Sequence, residues 1–122
     1  MLDHVGFQCG DLAASAAFYD AALAPLGVTR QMDLQVAIGY GSERADFWIS
    51  ALTEGDGFRE SHIAFAAADR ASVDAFFAAA VAHGAEVLHE PRVHDEYHEH
   101  YYGAFVRDPD GNNLEAVCHR PE

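Results

Sequence analysis

The pattern of apolar and polar positions predicts two amphipathic helices. Two segments repeat apolar side chains every three to four positions, which is the spacing of one helix face. The first stripe consists of Leu12, Ala16, Tyr19 and Leu23, and the second of Val73, Phe76, Phe77, Ala80 and Val81. Asp11 and Asp69 precede the two stripes and can cap the helices through their carboxylates. Pro25 and Gly84 follow them as end signals.

Short strand-like segments follow each helix. They cover residues 29–35, 36–40 and 45–51 after the first helix, and 85–89, 101–107 and 113–119 after the second. Residues 108–112, Asp-Pro-Asp-Gly-Asn, separate the last two segments. Proline fixes φ there, and glycine or asparagine accepts positive φ, so this segment predicts a tight turn.

The two halves of the chain repeat one pattern. A shift of 58 positions places His4 over His62 and aligns the two capping aspartates. Each half reads strand, helix and three strands, and neither half alone can bury a sheet face. We therefore predict one α+β domain over residues 1–122, built from tandem β-α-β-β-β modules at about 1–55 and 58–120. The modules should form a cupped mixed sheet with the helices outside.

The repeat places candidate metal ligands at equivalent positions. His4 and His62 both begin the first strand of a module, so two equivalent strands can bring their imidazoles to one point. Glu115 interrupts an otherwise apolar last strand, and Trp48 holds the equivalent place in the first module. Two imidazoles and a carboxylate suit a borderline divalent metal and leave coordination positions open.

The charge balance excludes several classes of function. The chain has 20 acidic and 7 basic residues and a formal net charge of −13, and every basic residue is arginine. A Schiff-base or P-loop lysine is impossible, and so negative a field repels nucleic acid and anionic membranes while attracting dications. No run is apolar enough for a membrane span, and the start lacks a secretory pattern. We expect a cytoplasmic protein in which Cys9 and Cys118 stay reduced.

Four segments together resemble the vicinal oxygen chelate superfamily, which includes glyoxalase I, extradiol dioxygenases, fosfomycin-modifying transferases and bleomycin-sequestering (bleomycin resistance) proteins. The segments are residues 4–7 with 10–12, 18–19, 62–65 and 108–115. The resemblance covers essentially the whole chain. It implies that His4, His62 and Glu115 bind one divalent ion, such as Zn, Ni, Mn or Fe(II), in a sheet-lined cup. It also implies a homodimer.

Two positions depart from the glyoxalase I pattern. Trp48 stands where glyoxalase I commonly supplies a fourth ligand, and an indole cannot coordinate a metal. Gln8 stands where bacterial glyoxalases usually carry an arginine that grips glutathione. The groups with which fosfomycin enzymes hold phosphonate have no evident match. We therefore expect a smaller or less charged substrate, and we expect Trp48, as an apolar wall, and Gln8 to be substrate-binding residues.

Residues 89–102 concentrate four of the eight histidines, at positions 89, 94, 98 and 100. One interpretation places His98 or Tyr101 over the metal as an acid, a base or a hydrogen-bond partner. The other is a polar surface loop. A second metal site formed by His94 and His98 would need a helix there, and nothing else in the sequence indicates one.

The function predicted from the sequence is a metal-dependent, glyoxalase-like isomerase or lyase acting on a small chelating substrate. In this interpretation Glu115 is both a ligand and a group that moves a proton, helped by His98 or Tyr101. Two alternatives stay open. One is ring cleavage by an Fe(II) extradiol-type dioxygenase, since two histidines and a carboxylate leave room for substrate and dioxygen. The other is a metal-free protein that binds a small-molecule drug.

Overall fold

The computed structural model of this chain describes residues 2–51 and 60–122, and it confirms the predicted α+β fold of two repeated modules. The first module consists of β1 (Val5–Gln8), α1 (Leu12–Leu23), a 3-10 turn (Ala24–Leu26), β2 (Thr29–Asp33), β3 (Ala37–Gly41) and β4 (Phe47–Ser50). The second consists of β5 (His62–Ala66), α2 (Arg70–Ala82), β6 (Val87–Val93), β7 (Tyr102–Arg107) and β8 (Asn113–Cys118). The predicted module limits at 55 and 58 lie outside the described residues.

Both helices begin where the sequence predicts. The Asp11 carboxylate accepts a hydrogen bond from the Ala14 amide at 3.0 Å, and Asp69 accepts one from the Ser72 amide at 2.8 Å. Each bond satisfies a backbone N–H that has no partner inside the helix. Of the described helices, none is both long enough and apolar enough to cross a bilayer.

The strands form two four-stranded mixed sheets, in the orders β1-β4-β3-β2 and β5-β8-β7-β6. In each sheet the first strand runs parallel to the last strand of the module. Gly6 lies opposite Trp48 in the first sheet, and Ala64 lies opposite Glu115 in the second. Since Gly6 and Ala64 are related by the repeat, this register confirms that Trp48 and Glu115 are equivalent positions.

The helices join the two modules through one hydrophobic core. Helix α1 packs against α2, and residues of both modules form a single buried cluster. The rings of Phe47 and Phe65 meet edge to face across the module boundary, with centroids 5.2 Å apart. The described strands thus form two four-stranded mixed sheets, and the helix side of each sheet faces this shared core. We call the side of each sheet away from its helix the open face.

The turn at residues 108–112 ties the second module to the first. The Tyr19 hydroxyl, on α1, donates to the buried Asp108 carboxylate at 2.7 Å. Asp110 accepts hydrogen bonds from the Gly10 amide at 2.8 Å and from the Ser15 hydroxyl at 3.4 Å. Burial and the Asp108 charge raise the pKa of Tyr19 well above its ordinary value, so this phenol stays a donor.

Strand β6 continues to Val93, beyond its predicted end at residue 89. Pro91 lies inside it, where the missing N–H costs a central strand one ladder bond. Because β6 is the edge of its sheet and its register shifts between His89 and Arg92, the proline is accommodated. The extended strand carries the chain directly into the histidine-rich loop.

Candidate metal centre

Glu115 is a buried carboxylate on the open face of the second sheet. Its neighbours Leu114 and Ala116 lie in the shared core, so alternation along β8 turns Glu115 the other way. Only 1% of Glu115 is exposed, because other side chains cover it. Its Oε2 accepts a hydrogen bond from the Tyr101 hydroxyl, and its Oε1 lies 3.2 Å from His62 Nε2. The structure therefore brings together three of the predicted site residues.

The orientation of His62 leaves its Nε2 facing the carboxylate. His62 Nδ1 lies 3.1 Å from the Asn113 carbonyl oxygen, which can only accept, so Nδ1 carries a proton. In the neutral ring, Nε2 then has a lone pair directed at Glu115 Oε1. Two acceptors at 3.2 Å repel each other unless a proton or a metal cation lies between them. The donor set thus fits a divalent ion.

The Tyr101 phenol is a proton donor at the same site. Burial, followed by the hydrogen bond to Glu115, raises the pKa of Tyr101 above its ordinary value. The hydroxyl is therefore protonated at neutral pH and donates to the carboxylate. This bond holds Oε2 in place while Oε1 faces His62. Carboxylates that bind a metal are commonly oriented by such a hydrogen bond.

Two residues that the sequence analysis missed shape this site. A Cβ on Gly103 would lie 3.3 Å from Glu115 Oε2 and 3.3 Å from the Tyr101 ring, so a side chain there would crowd both groups. The ring of Phe105 lies almost parallel to the His62 imidazole, with centroids 6.0 Å apart. Strand alternation along β7 could have predicted that both residues lie on the open face, but it could not have predicted these contacts.

His4 has the same free nitrogen but a different location. Its Nδ1 lies 2.8 Å from the Asp3 carboxylate and therefore donates to it, leaving Nε2 free on a side chain that is 62% exposed. The hydrogen bond from His4 and the nearby Arg44 lower the pKa of Asp3, which keeps this acceptor charged. Within residues 2–51 and 60–122, no three His, Cys, Asp or Glu side chains of one chain form a metal-binding group. A single chain therefore does not bring His4 to His62 and Glu115.

Trp48 and Gln8 lie on the open face of the first sheet. The half-buried Trp48 lies over Gly39, where an added Cβ would be 2.9 Å from its ring. Gln8 is exposed and lies opposite Ser50 on β4. Both positions belong to the first sheet and Glu115 to the second, so these residues do not contact the carboxylate through strand pairing.

Several residues of the histidine-rich loop make specific contacts that a polar surface loop would not make. His94 is 1% exposed, and its Nε2 donates to the Gly103 carbonyl at 3.1 Å, so that interpretation is wrong for His94. His98 contacts His119 with 2.8 Å between Nε2 and Nδ1. Tyr101 is the loop residue that reaches Glu115. Composition alone could not show which of these residues is buried.

The described arginines are mostly committed to carboxylates. Those within 4.0 Å of a carboxylate oxygen are Arg30, Arg44, Arg70, Arg92 and Arg107. An arginine that is already paired offers a substrate anion less net positive charge than a free one. Among the described residues, these arginines are therefore poor candidates for binding an anion.

Comparisons with known proteins agree with this architecture. Residues 1–116 match the family model described as Glyoxalase/Bleomycin resistance protein/Dioxygenase superfamily. A glyoxalase/bleomycin resistance protein from Albidiferax ferrireducens T118 is 34% identical, with 99% of both chains covered and a TM-score of 0.84. A putative glyoxalase from Bacillus halodurans is 25% identical, with coverages of 97% and 95% and a TM-score of 0.72.

More distant structures share the fold. The lactoylglutathione lyase from Agrobacterium tumefaciens is 20% identical, with coverages of 97% of this chain and 92% of that one and a TM-score of 0.67. The comparison with curated proteins gave no match. The family model spans nearly all of the sequence, and the two-module fold is the one these structures have. The chain therefore belongs to the glyoxalase/bleomycin resistance protein/dioxygenase superfamily.

Proposed function

We propose that this chain is a metal-dependent, glyoxalase-like isomerase or lyase that acts on a small chelating substrate. The observation that carries the proposal is the pair formed by His62 Nε2 and Glu115 Oε1, which are 3.2 Å apart. The Nδ1 proton of His62 is used by a backbone carbonyl, so a cation is the natural partner for the two facing acceptors. Zn, Ni, Mn and Fe(II) all accept such ligands.

The third protein ligand is, in this proposal, His4 of a second copy. His4 and His62 are equivalent in the repeat, and each commits Nδ1 to an acceptor while Nε2 stays free. One chain does not supply a third donor among its described residues. A homodimer with twofold symmetry would pair the first module of each chain with the second module of the other, giving two identical sites.

The bound ion would supply positive charge beside the substrate oxygens, which stabilises negative charge that develops there. The chain's own residues would do the rest. Glu115 holds the ion and presents a carboxylate that accepts a proton, and Tyr101 holds a proton on its hydroxyl beside Glu115 Oε2. Phe105 orients His62 by ring contact. Trp48 of the partner module would form an apolar wall that excludes water.

The charge around the site restricts the substrate. The described arginines are mostly paired, the chain carries −13, and position 8 holds glutamine. An anionic substrate would meet repulsion without a compensating free cation. We therefore expect a neutral or weakly charged molecule with two adjacent oxygens.

Ring cleavage with Fe(II) is the second candidate, and the aromatic surroundings of His62 favour it. Phe105 is buried and contacts His62, His89 and His94 with its ring, whereas the His62 imidazole is half exposed. The exposed part of that flat ring suits a planar substrate with two neighbouring hydroxyl groups. In that case the two imidazoles and one carboxylate would leave coordination positions for substrate and dioxygen.

A cytoplasmic location is part of the same proposal. Cys9 and Cys118 are buried free thiols, which is the state that a reducing compartment maintains.

The proposal is tested by metal titration followed by turnover. Metal-stripped protein is titrated with each of the four ions by calorimetry, beside His62→Ala and the control His83→Ala, which removes an exposed imidazole outside the site. We expect His62→Ala to lose metal binding and His83→Ala to keep it. Loaded protein is then assayed on 2-oxoaldehyde thiol adducts and on catechols. Catechol cleavage with Fe(II) supports the second candidate, and binding of an aromatic drug without any metal binding overturns both.

A further inference from the structure

Two histidines on different elements form a direct hydrogen bond beside the candidate metal centre. His98 Nε2 and His119 Nδ1 are 2.8 Å apart, and their ring planes are inclined by only 25°. The ring centroids are 5.0 Å apart, which is close to the N–N distance plus one ring radius on each side. The two nitrogens therefore point at each other. This bond joins the loop at 94–101 to the residue after β8, and we call it the histidine clasp.

The backbone fixes which nitrogen of the clasp donates. The His100 amide donates to His98 Nδ1 at 3.0 Å, so Nδ1 is unprotonated and the neutral ring carries its proton on Nε2. His98 Nε2 then donates to His119 Nδ1. The clasp is thus a neutral N–H···N bond, and it exists only while at least one of the two rings lacks a second proton.

The clasp holds Tyr101 against both imidazoles. The Tyr101 ring lies edge to face with His98 at 5.5 Å and with His119 at 5.2 Å between centroids. The Tyr101 amide donates to the His98 carbonyl at 3.2 Å, which closes the loop around the same residue. The hydroxyl at the far end of this ring donates to Glu115. A change at the clasp therefore reaches the carboxylate through one rigid ring.

We propose that His98 and His119 are positioning residues that hold the Tyr101 hydroxyl on Glu115, and that protonation of both imidazoles releases it. One added proton leaves the bond in place, because a protonated His98 still donates to a neutral His119. A second proton sets two N–H groups and two positive charges against each other. The effect of this release on metal binding rests on the proposed function, whereas the release itself does not.

Other titratable groups lie near the clasp. Tyr101 is the one whose ring contacts both imidazoles. Glu99 and His100 follow His98 in the loop and pair with each other at 3.5 Å, and Arg120 follows His119. Once one imidazole of the clasp is charged, that charge disfavours the second proton. We therefore expect release only where the second proton binds, towards the acidic end of a titration.

The test is an NMR titration of the full chain without added metal, from pH 8 to pH 5. The ring signals of His98, His119 and Tyr101 are followed, with Tyr101→Phe used for assignment. His119→Asn keeps an acceptor near the Nδ1 position but cannot titrate. His119→Phe keeps an aromatic ring but offers no acceptor. His98→Gln, which keeps a donor near Nε2, examines the other side of the clasp.

In the wild type the Tyr101 signals should move with the same midpoint as the second histidine proton. In His119→Asn they should stay in the closed position throughout, and in His119→Phe they should show the open position at both ends of the range. Two results overturn the proposal. One is that the Tyr101 signals of the wild type do not follow the histidine signals; the other is that the Tyr101 signals of His119→Asn and His98→Gln still move with pH as they do in the wild type. Because no metal is present, a failure here is distinct from a failure to bind metal.

Discussion

Replacing Glu115 by glutamine should separate metal binding from folding. The carboxylate is 1% exposed, accepts a hydrogen bond from Tyr101 and lies 3.2 Å from His62 Nε2. Glutamine has almost the same shape, and its carbonyl oxygen can still accept from the Tyr101 hydroxyl. The substitution therefore removes the negative charge of a ligand while leaving its packing nearly intact.

The expected magnitudes differ for the two properties. Changing a group that only supports a metal ligand costs 10-fold to 100-fold in affinity, so loss of an anionic ligand should cost at least about 100-fold, or about 2.7 kcal/mol. An amide is less costly to bury than a carboxylate, so the free energy of unfolding without metal should change by at most about 1 kcal/mol. That change corresponds to a shift in melting temperature of about 3–6 °C.

The assay is calorimetric titration of each metal ion, beside thermal melts of the metal-free proteins. Glu90→Gln is the matched control, because it removes the same charge from an exposed position on β6. It should leave the affinity within about twofold, since exposed charges are screened by salt. A folded Glu115→Gln protein that binds metal as tightly as the wild type would show that Glu115 has a structural role only.

Three further predictions concern the fold and the substrate. Tyr19→Phe removes the bond to buried Asp108 and should destabilise the chain by about 1.5–3 kcal/mol in urea unfolding, whereas the exposed Tyr97→Phe should not. Since the pKa of Tyr19 is raised in the folded protein, the contribution of Tyr19 to stability should be full below pH 10 and should decline as the pH rises above that value. A stability difference between wild type and Tyr19→Phe that does not fall as the pH rises far above 10 would contradict this. Gly39→Ala sets a methyl against the Ala45 Cβ and the Trp48 ring and should lower the melting temperature, and an unchanged melt would mean that both neighbours move aside freely. Finally, kcat/KM for the glutathione hemithioacetal of methylglyoxal should stay below about 10⁴ M⁻¹s⁻¹ with every metal, and a higher value would refute the inference drawn from the paired arginines.

The sequence predicts the modules well because their signals are local and repeated. Apolar spacing, capping aspartates and the 58-residue repeat together specify the helices, the strand order within each module and the equivalence of Trp48 with Glu115. Each of these depends on residues close in sequence or on a comparison of the chain with itself. The partnership of Glu115 with His62 follows from that register, since β5 and β8 are neighbours.

The packing of the two modules against each other has no local signal in the sequence. Periodicity shows which stripes are apolar, but it does not show that α1 packs on α2 or that Phe47 meets Phe65. Side-chain contacts in the loop at 94–101 depend on its exact path, which is why the burial of His94 and the bond between His98 and His119 were not predicted. Polar composition predicts a loop, but it does not show which polar side chain turns inward.

Subunit complementation tests whether the metal site combines His62 and Glu115 of one chain with His4 of another. Tagged His4→Ala and Glu115→Gln chains are each expected to bind little metal. After unfolding, mixing in equal amounts and refolding, half of the dimers are mixed, and each mixed dimer contains one site with all three ligands. We expect recovery of about a quarter of the wild-type metal content, confined to dimers that carry both tags. No recovery in dimers shown to be mixed would contradict it.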